Sequence, residues 1–168
     1  VRQADGDGVS NVTLRDLIRT SLRMRPDRII VGEVRGEEAL DMIQSMNTGH
    51  DGSLSTGHAN SPQDMLSRLE TMALFASDIP IQAIRKQIAS SIDIIVQLER
   101  LRDRSRRVTA IAEVLDCTEN AYILNPIFEF HEQDNLVMES SSYGDIPERV
   151  VGQLERTGYH LMHRRKLH

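Results

Sequence analysis

Several residue types are scarce in this sequence, and each scarcity narrows what the chain can be. There is no tryptophan and a single cysteine, Cys117, so the chain can form neither an internal disulfide bond nor a cysteine-rich zinc site. One cysteine also favours a reducing compartment. No apolar run approaches the ~20 residues that a membrane-spanning helix requires, so the sequence predicts no such helix.

Lysine is also scarce: Lys86 and Lys166 are the only two, and arginine supplies the rest of the 20 basic side chains. Arginine suits bidentate contacts with phosphates and carboxylates, including contacts across subunit interfaces, although a compositional bias would give the same count. The formal net charge is -5, which argues against a general nucleic-acid-binding protein because such proteins are basic. At 168 residues with 39% hydrophobic side chains, the chain has the size and apolar content of about one domain.

The sequence has no phosphate-binding loop of the common Gly-Lys-Ser/Thr type. That loop needs a lysine directly after a glycine, and neither lysine of this chain follows one. Without the backbone N–H groups and the lysine of such a loop, nothing in the sequence would cradle the β- and γ-phosphates of a nucleotide.

The spacing of apolar residues predicts helices and strands that alternate along the first hundred residues. Thr13 and Asp16 form a capping-box pattern before the first helix, and Pro26 ends that helix. The next predicted elements are a strand over 28–31, a helix over 37–47, a strand over 52–56, helices over 61–74 and 81–90, and a strand over 92–98. This alternation indicates an α/β fold with a parallel sheet, in which the last strand is buried on both faces.

The remainder of the chain favours antiparallel strands and then a tail. The pattern predicts a hairpin turn over 102–105 and strands over 107–115, 122–124 and 127–130. Residues 133–143 are expected to form a polar linker, and 147–157 a small helix. We therefore divide the chain into a main unit, 1–131, and a linker with a small helical tail, 132–168.

An acid stands at the end of the first predicted strand. Residues 29–31 form an apolar run that leads through Gly32 to Glu33. Ligands of open α/β sheets bind at the carboxyl ends of strands, where a carboxylate can orient a metal-bound phosphate or an attacking water. The alternative is a strand-end acid that pairs with Arg35. A directly bound zinc ion at Glu33, His50 and His58 is not expected, because the histidines lack the usual ligand spacing.

Several long motifs in the right order resemble one family. Residues 23–36, Arg-Met-Arg-Pro-Asp-Arg-Ile-Ile-Val-Gly-Glu-Val-Arg-Gly, resemble the Walker B element of the type II/type IV secretion ATPase superfamily. Residues 48–61 resemble its histidine box, and 40–53 are similar to the CpaF-type ATPases of Tad (Flp) pilus assembly. The similarity continues through 67–72, 84–89 and 106–114, so it covers 12–130 well and the tail loosely.

The resemblance implies a partial RecA-like P-loop NTPase core with a small antiparallel C-terminal β extension. It implies a homohexameric motor that uses ATP and Mg2+ at the cytoplasmic face of the inner membrane and acts on membrane platform proteins. Glu33 and His58 would be catalytic: Glu33 would polarise the attacking water or hold Mg2+ through water, and His58 would sense the γ-phosphate.

Other side chains in these motifs have both a functional and an ordinary interpretation. His58 could instead be hydrogen-bonded within a tight turn, and His50 could cap a helix. One of Arg19, Arg23 and Arg25 could reach the nucleotide of a neighbouring subunit, although a solvated helix face explains each of them as well. Arg35 could anchor Glu33 or an interface carboxylate.

The family's Walker A loop and acidic Asp box are absent from the sequence. We therefore expect the chain to be the C-terminal part of a longer ATPase and to hydrolyse no ATP alone. The alternative is a degenerate paralogue that serves as a regulatory or interaction subunit of such a motor.

Overall fold

The computed structural model describes residues 12–133 and 149–162. The elements in chain order are α1 (Leu14–Leu22), β1 (Ile30–Val31), α2 (Glu38–Met46), β2 (Leu54–Ser55), α3 (Pro62–Ala76), α4 (Ile81–Ser91), β3 (Ile94–Arg100), β4 (Arg106–Cys117), β5 (Tyr122–Glu132) and β6 (Gly152–Arg156). The predicted α/β alternation of the first half is confirmed. In these residues no helix is both long and apolar enough to cross a membrane.

The caps foreseen from the sequence are present at two helix starts. Thr13 Oγ1 accepts a hydrogen bond from the Asp16 N–H at 3.2 Å, and Asp16 Oδ2 accepts one from the Thr13 N–H at 3.0 Å. At α3, the Ser61 hydroxyl accepts from the Asp64 N–H at 3.1 Å, and Pro62 occupies the first turn. These bonds satisfy backbone N–H groups that have no partner inside a helix, so they fix where α1 and α3 begin.

Strands β1 and β2 form a two-stranded parallel sheet in which Ile30 pairs with Leu54 and Val31 with Ser55. Both strands are shorter than predicted, with two residues each. Val31 is buried on the helix side, while Ile30 and Leu54 are 74% and 61% exposed on the other side. The helices of the described residues therefore cover one face of this sheet.

The strand predicted over 92–98 was expected in the parallel sheet, and this expectation is wrong. That segment forms β3, which lies in an antiparallel sheet of order β3-β4-β5-β6 and not beside β1 and β2. It is not buried on both faces, since Val96 is 47% and Leu98 63% exposed. The turn at Arg104, whose φ is +66°, brings β4 back directly alongside β3, so the nearest strand becomes its partner.

Two further expectations for the C-terminal half need correction. The strands predicted over 122–124 and 127–130 are one strand, β5, which continues through Pro126 next to a register shift in β4. The helix predicted over 147–157 is wrong, because Gly152–Arg156 form β6 and pair with β5. A Cβ at Gly152 would lie 2.5 Å from the His131 carbonyl oxygen, so glycine permits this close pairing. Most of the predicted linker over 133–143 lies outside the described residues.

A buried ion pair joins α3 to α4, and its arginine also contacts the antiparallel sheet. Glu70 of α3 and Arg85 of α4 are each 8% exposed, and Arg85 Nε lies 2.6 Å from Glu70 Oε1. Arg85 also donates to the Glu119 carbonyl in the β4–β5 turn and lies over the Tyr122 ring at 5.9 Å. Burial alone would raise the pKa of Glu70, but the hydrogen bonds and charge of Arg85, together with the Tyr122 hydroxyl, outweigh it and lower that pKa.

We predict that Arg85→Ala lowers the free energy of unfolding by about 3–5 kcal/mol, because Glu70 would remain buried without its partner. Chemical denaturation of the 168-residue chain measures this loss. The double variant Glu70→Leu, Arg85→Met should lose much less, since it leaves no lone charge. The exposed neighbour Lys86→Ala is the control, with a change within about 0.5 kcal/mol. A loss below 1 kcal/mol for Arg85→Ala would contradict this assignment.

Candidate functional site at the ends of the parallel strands

Two adjacent loops follow the parallel strands, and hydrogen bonds join them side by side. The Val34 N–H donates to the Thr56 carbonyl at 3.0 Å, and the Thr56 hydroxyl donates to the Gly32 carbonyl at 2.6 Å. Glu33 lies in the first loop and His58 in the second. The structure thus brings together the two residues that the sequence places at neighbouring strand ends, as expected for parallel strands.

Glu33 lies between His58 and Arg35. Its Oε1 atom is 2.9 Å from His58 Nε2, and its Oε2 atom accepts a hydrogen bond from an Arg35 guanidinium nitrogen at 2.5 Å. The Glu33 side chain is 23% exposed, whereas that of His58 is 78% exposed. Oε1 itself is buried and accepts no hydrogen bond from the described residues, so the approach of His58 is a close contact without hydrogen-bond alignment.

The electrostatic surroundings keep Glu33 ionised. The hydrogen bond from Arg35 lowers the pKa of Glu33 below its ordinary value, and the positive charges of Arg35 and Arg68 act in the same direction. Partial burial opposes this effect without reversing it. A carboxylate at this strand end is therefore charged at neutral pH and can accept hydrogen bonds from a water molecule. The Arg35 pair, foreseen as the ordinary alternative, is present together with the His58 contact.

His50 lies at the end of α2, where its Nδ1 is 3.1 Å from the Ser45 carbonyl oxygen. Gly49 before it has a φ of +92°, which turns the chain out of the helix. These contacts support the helix-capping role of His50, which the sequence left open as an alternative.

For the arginines before β1, the structure shows contacts other than those of Glu33. Arg19 Nε donates to Asp41 Oδ1 at 2.8 Å, and Arg15 Nε donates to Asp41 Oδ2 at 2.6 Å. Asp41 is 6% exposed, so one buried carboxylate orients both guanidinium groups. Arg23 ends α1 as its C-cap. Arg25 is exposed and has a φ of +52°, which is uncommon for a residue other than glycine.

Sequence reasoning missed four side chains around these groups. Arg15 and Asp41 are the first two, and Arg15 could have been found because it is four residues from Arg19 on the same helix face. Arg68 donates to the His58 carbonyl at 3.0 Å, and Gln97 donates to the Ala59 carbonyl at 3.2 Å. The Gln97 contact has no local sequence signal, because it joins residues 38 apart along the chain, whereas Arg68 lies only ten residues after His58, on the next helix.

The donor set does not form a direct metal site. Within 12–133 and 149–162, no three His, Cys, Asp or Glu side chains are grouped as metal ligands. The Glu33 side chain is 23% exposed, and a single carboxylate of this kind can hold Mg2+ through water without a set of direct protein ligands.

Comparison with known proteins gives consistent matches. The family model described as Type II/IV secretion system protein matches residues 1–141. A putative conjugal transfer protein of Mycobacterium tuberculosis is 40% identical over 111 residues, which are 66% of this chain and 31% of that protein. The type IV secretion system protein PtlH of Bordetella pertussis is 38% identical over 99 residues, 57% of this chain and 29% of PtlH.

A solved structure matches as well. The VirB11 ATPase of the Brucella suis type IV secretion system, in complex with sulphate, is 33% identical with a TM-score of 0.57. The match covers 61% of this chain and 32% of the VirB11 chain. The chain thus spans about a third of the length of these three relatives.

We predict that Arg35→Gln raises the pKa of Glu33 towards its ordinary value, because the hydrogen bond that lowers it is lost. A carbon-13 NMR titration of the carboxyl groups measures the change. Because the folded-state pKa is lowered, the stabilisation from this pair is present above the ordinary pKa and is lost as the pH falls through the folded-state value. Arg106 is an exposed arginine at the start of β4, so Arg106→Gln is the control and should leave the pKa of Glu33 unchanged. An unchanged Glu33 titration in Arg35→Gln would contradict the assignment.

Proposed function

Because the chain belongs to the type II/IV secretion system protein family, we propose that it is part of an ATP-hydrolysing motor, to which it contributes Glu33 as the Walker B glutamate and His58 from the histidine box. The observation that supports this most is the 2.9 Å contact between Glu33 and His58 at the ends of adjacent parallel strands. An ionised carboxylate and an imidazole at this edge of a sheet are suited to phosphoryl chemistry.

Each side chain has a distinct task in this proposal. Glu33, an ionised carboxylate whose side chain is 23% exposed, orients and polarises the attacking water. Arg35 keeps Glu33 ionised through the bond to Oε2. The ring of His58 is largely exposed beside Glu33. It donates a hydrogen bond to the γ-phosphate of the bound nucleotide and thereby senses whether that phosphate is present. ATP would be the substrate, and in the alternative role Glu33 would hold the Mg2+ of ATP through a water molecule.

The remaining catalytic parts lie beyond this sequence in the proposal. The chain lacks the Gly-Lys-Ser/Thr loop, and it spans about a third of its relatives' length. We therefore propose that it is the C-terminal part of a longer RecA-like P-loop domain, with residues 1–131 as the motor portion and 132–168 as its extension. The exposed Ile30 and Leu54 on the open face of the parallel sheet fit such a continuation.

Three arginines before β1 supply a contact between subunits in the proposed assembly. In a homohexamer, Arg19, Arg23 or Arg25 would reach the nucleotide of the next subunit, where an arginine stabilises transition-state charge. Asp41 binds the Arg19 side chain, whereas Arg25 is exposed and has a left-handed backbone conformation. Arg25 is therefore the better candidate for the contact with the neighbouring subunit's nucleotide. His50, whose ring caps α2, would act at the nucleotide only through the position of its loop.

The cellular setting of the proposal rests on the resemblance of residues 40–53 to CpaF-type ATPases. On that basis the motor powers Tad (Flp) pilus assembly or type II/IV secretion. It lies in the cytoplasm at the inner membrane and acts on membrane platform proteins. Relatives named for conjugal transfer and type IV secretion support the broader class.

We predict that Glu33→Gln, made in the protein that includes the upstream coding segment, lowers ATP turnover by about 10^2–10^4-fold while ATP still binds. Steady-state turnover and nucleotide binding measure the two effects separately. Glu129→Gln, an exposed glutamate on β5, is the matched control and should turn over ATP normally. The 168-residue chain alone should show no turnover.

Two results would contradict the proposal. Normal turnover in Glu33→Gln would exclude Glu33 as the catalytic carboxylate. An upstream segment without a Gly-Lys-Ser/Thr loop, with no ATP binding, would instead favour a regulatory subunit of the motor.

We predict that Arg25→Gly raises the free energy of unfolding by up to about 1 kcal/mol, because glycine removes the left-handed strain. The same change should lower turnover of the longer protein by about 10^3-fold or more, because the arginine that stabilises transition-state charge is lost. Denaturation and turnover measure the two effects. Arg104→Gly is the matched control: Arg104 also has a positive φ, +66°, but lies in the β3–β4 turn, so stability should rise and turnover should not change. Unchanged turnover in Arg25→Gly would rule out the proposed contact.

A further inference from the structure

The loop that presents His58 is anchored from two other elements. Residues 57–60 follow β2 and lead into α3, and they contain no helix or strand of their own. The His58 ring is largely exposed, so its position beside Glu33 depends on how this loop is held. Two consecutive carbonyl groups of the loop, those of His58 and Ala59, accept hydrogen bonds from side chains of different elements.

The first anchor is Arg68 of α3. A guanidinium nitrogen of Arg68 donates to the His58 carbonyl at 3.0 Å. Met65, one turn earlier on the same helix face, lies against Gly57: a Cβ added at Gly57 would be 2.5 Å from the Met65 methyl carbon. The Met65 and Arg68 face of α3 therefore holds the loop by packing and by a charge-assisted hydrogen bond.

The second anchor is Gln97 of β3. Its side-chain amide donates to the Ala59 carbonyl at 3.2 Å. The register of β3 with β4 shifts between Gln97 and Leu98, which marks a bulge or irregularity at that point. Gln97 pairs with Ala110 and Leu98 with Val108, so the extra residue of this bulge is Thr109 of β4, next to the Gln97 pair. Bulges are common beside functional sites.

We propose that Arg68 and Gln97 are positioning residues, which hold the backbone of the His58 loop so that the His58 ring lies against Glu33. This inference rests on the proposed function for its catalytic consequence, but its structural part does not. It extends the site to the antiparallel sheet, because one of the two anchors comes from β3. A change in the position of β3 would therefore reach His58 through Gln97.

The structural test uses NMR of the 168-residue chain. Arg68→Met and Gln97→Leu remove the donors while keeping much of the side-chain volume. In each variant we expect the ring signals of His58 to shift and the amides of residues 57–60 to exchange about three- to tenfold faster, as for the loss of one hydrogen bond. Arg68→Lys, which keeps a charged donor, should restore the ring signals in part. The exposed helical cation Lys86→Met is the matched control and should change neither signal.

The catalytic test uses the longer protein. A misplaced His58 should lower kcat about ten- to a hundredfold in Arg68→Met and in Gln97→Leu, with KM for ATP unchanged and partial rescue by Arg68→Lys. Unchanged ring signals and loop exchange in both donor-free variants would overturn the positioning role, and so would a raised KM with unchanged kcat. Normal turnover in Glu33→Gln overturns the proposed function instead, so the two failures are distinguishable.

Discussion

The pairing of β1 with β2 is the constraint on which the site depends. Two ladder pairs, Ile30 with Leu54 and Val31 with Ser55, and the bond from the Val34 N–H to the Thr56 carbonyl put the two strand ends at the same level. A shift by one residue would turn the buried Val31 to the open face and would separate Glu33 from His58. Since two-residue strands contribute few hydrogen bonds, this register is held mainly by the burial of Ile29, Val31 and Val34 against the helices.

Helix α3 connects this site to the rest of the fold. Arg68 and Glu70 are two residues apart, so they point to nearly opposite sides of the helix. Arg68 reaches the His58 loop, while Glu70 is buried against Arg85 of α4, which in turn contacts the turn before β5. The same rigid element thus meets the loop on one side and the buried ion pair on the other. Because the ion pair is costly to break, it holds α3 to α4, and Arg85 connects both helices to the β4–β5 turn.

Local signals in the sequence were sufficient for helices α1 to α4 and for placing Glu33 and His58 at neighbouring strand ends. The Thr13–Asp16 and Ser61–Asp64 patterns are short-range, and their caps form as the residues dictate. The place of β3 could not be read in the same way, because an apolar run fits a parallel core strand and an antiparallel strand equally well. The tight turn at Arg104 decides between the two arrangements, because it places β4 directly alongside β3 as its antiparallel partner. Residues 152–156 were misassigned because their strand character comes from pairing with β5, and this pairing requires the close approach allowed at Gly152.

The ion pair between Glu33 and Arg35 is compatible with a catalytic carboxylate. The Arg35 side chain is 73% exposed, and exposed pairs of this kind contribute only about 0–1 kcal/mol, so the contact does not fix Glu33 against other partners. It occupies Oε2 alone and leaves the buried Oε1 with the His58 ring 2.9 Å away. A purely structural strand-end acid would gain by hydrogen-bonding both oxygens, because a buried acceptor without a donor is destabilising. Oε1 has no such donor among the described residues, so the Glu33 carboxylate is not arranged for stability alone, and this oxygen lies against the exposed His58 ring instead.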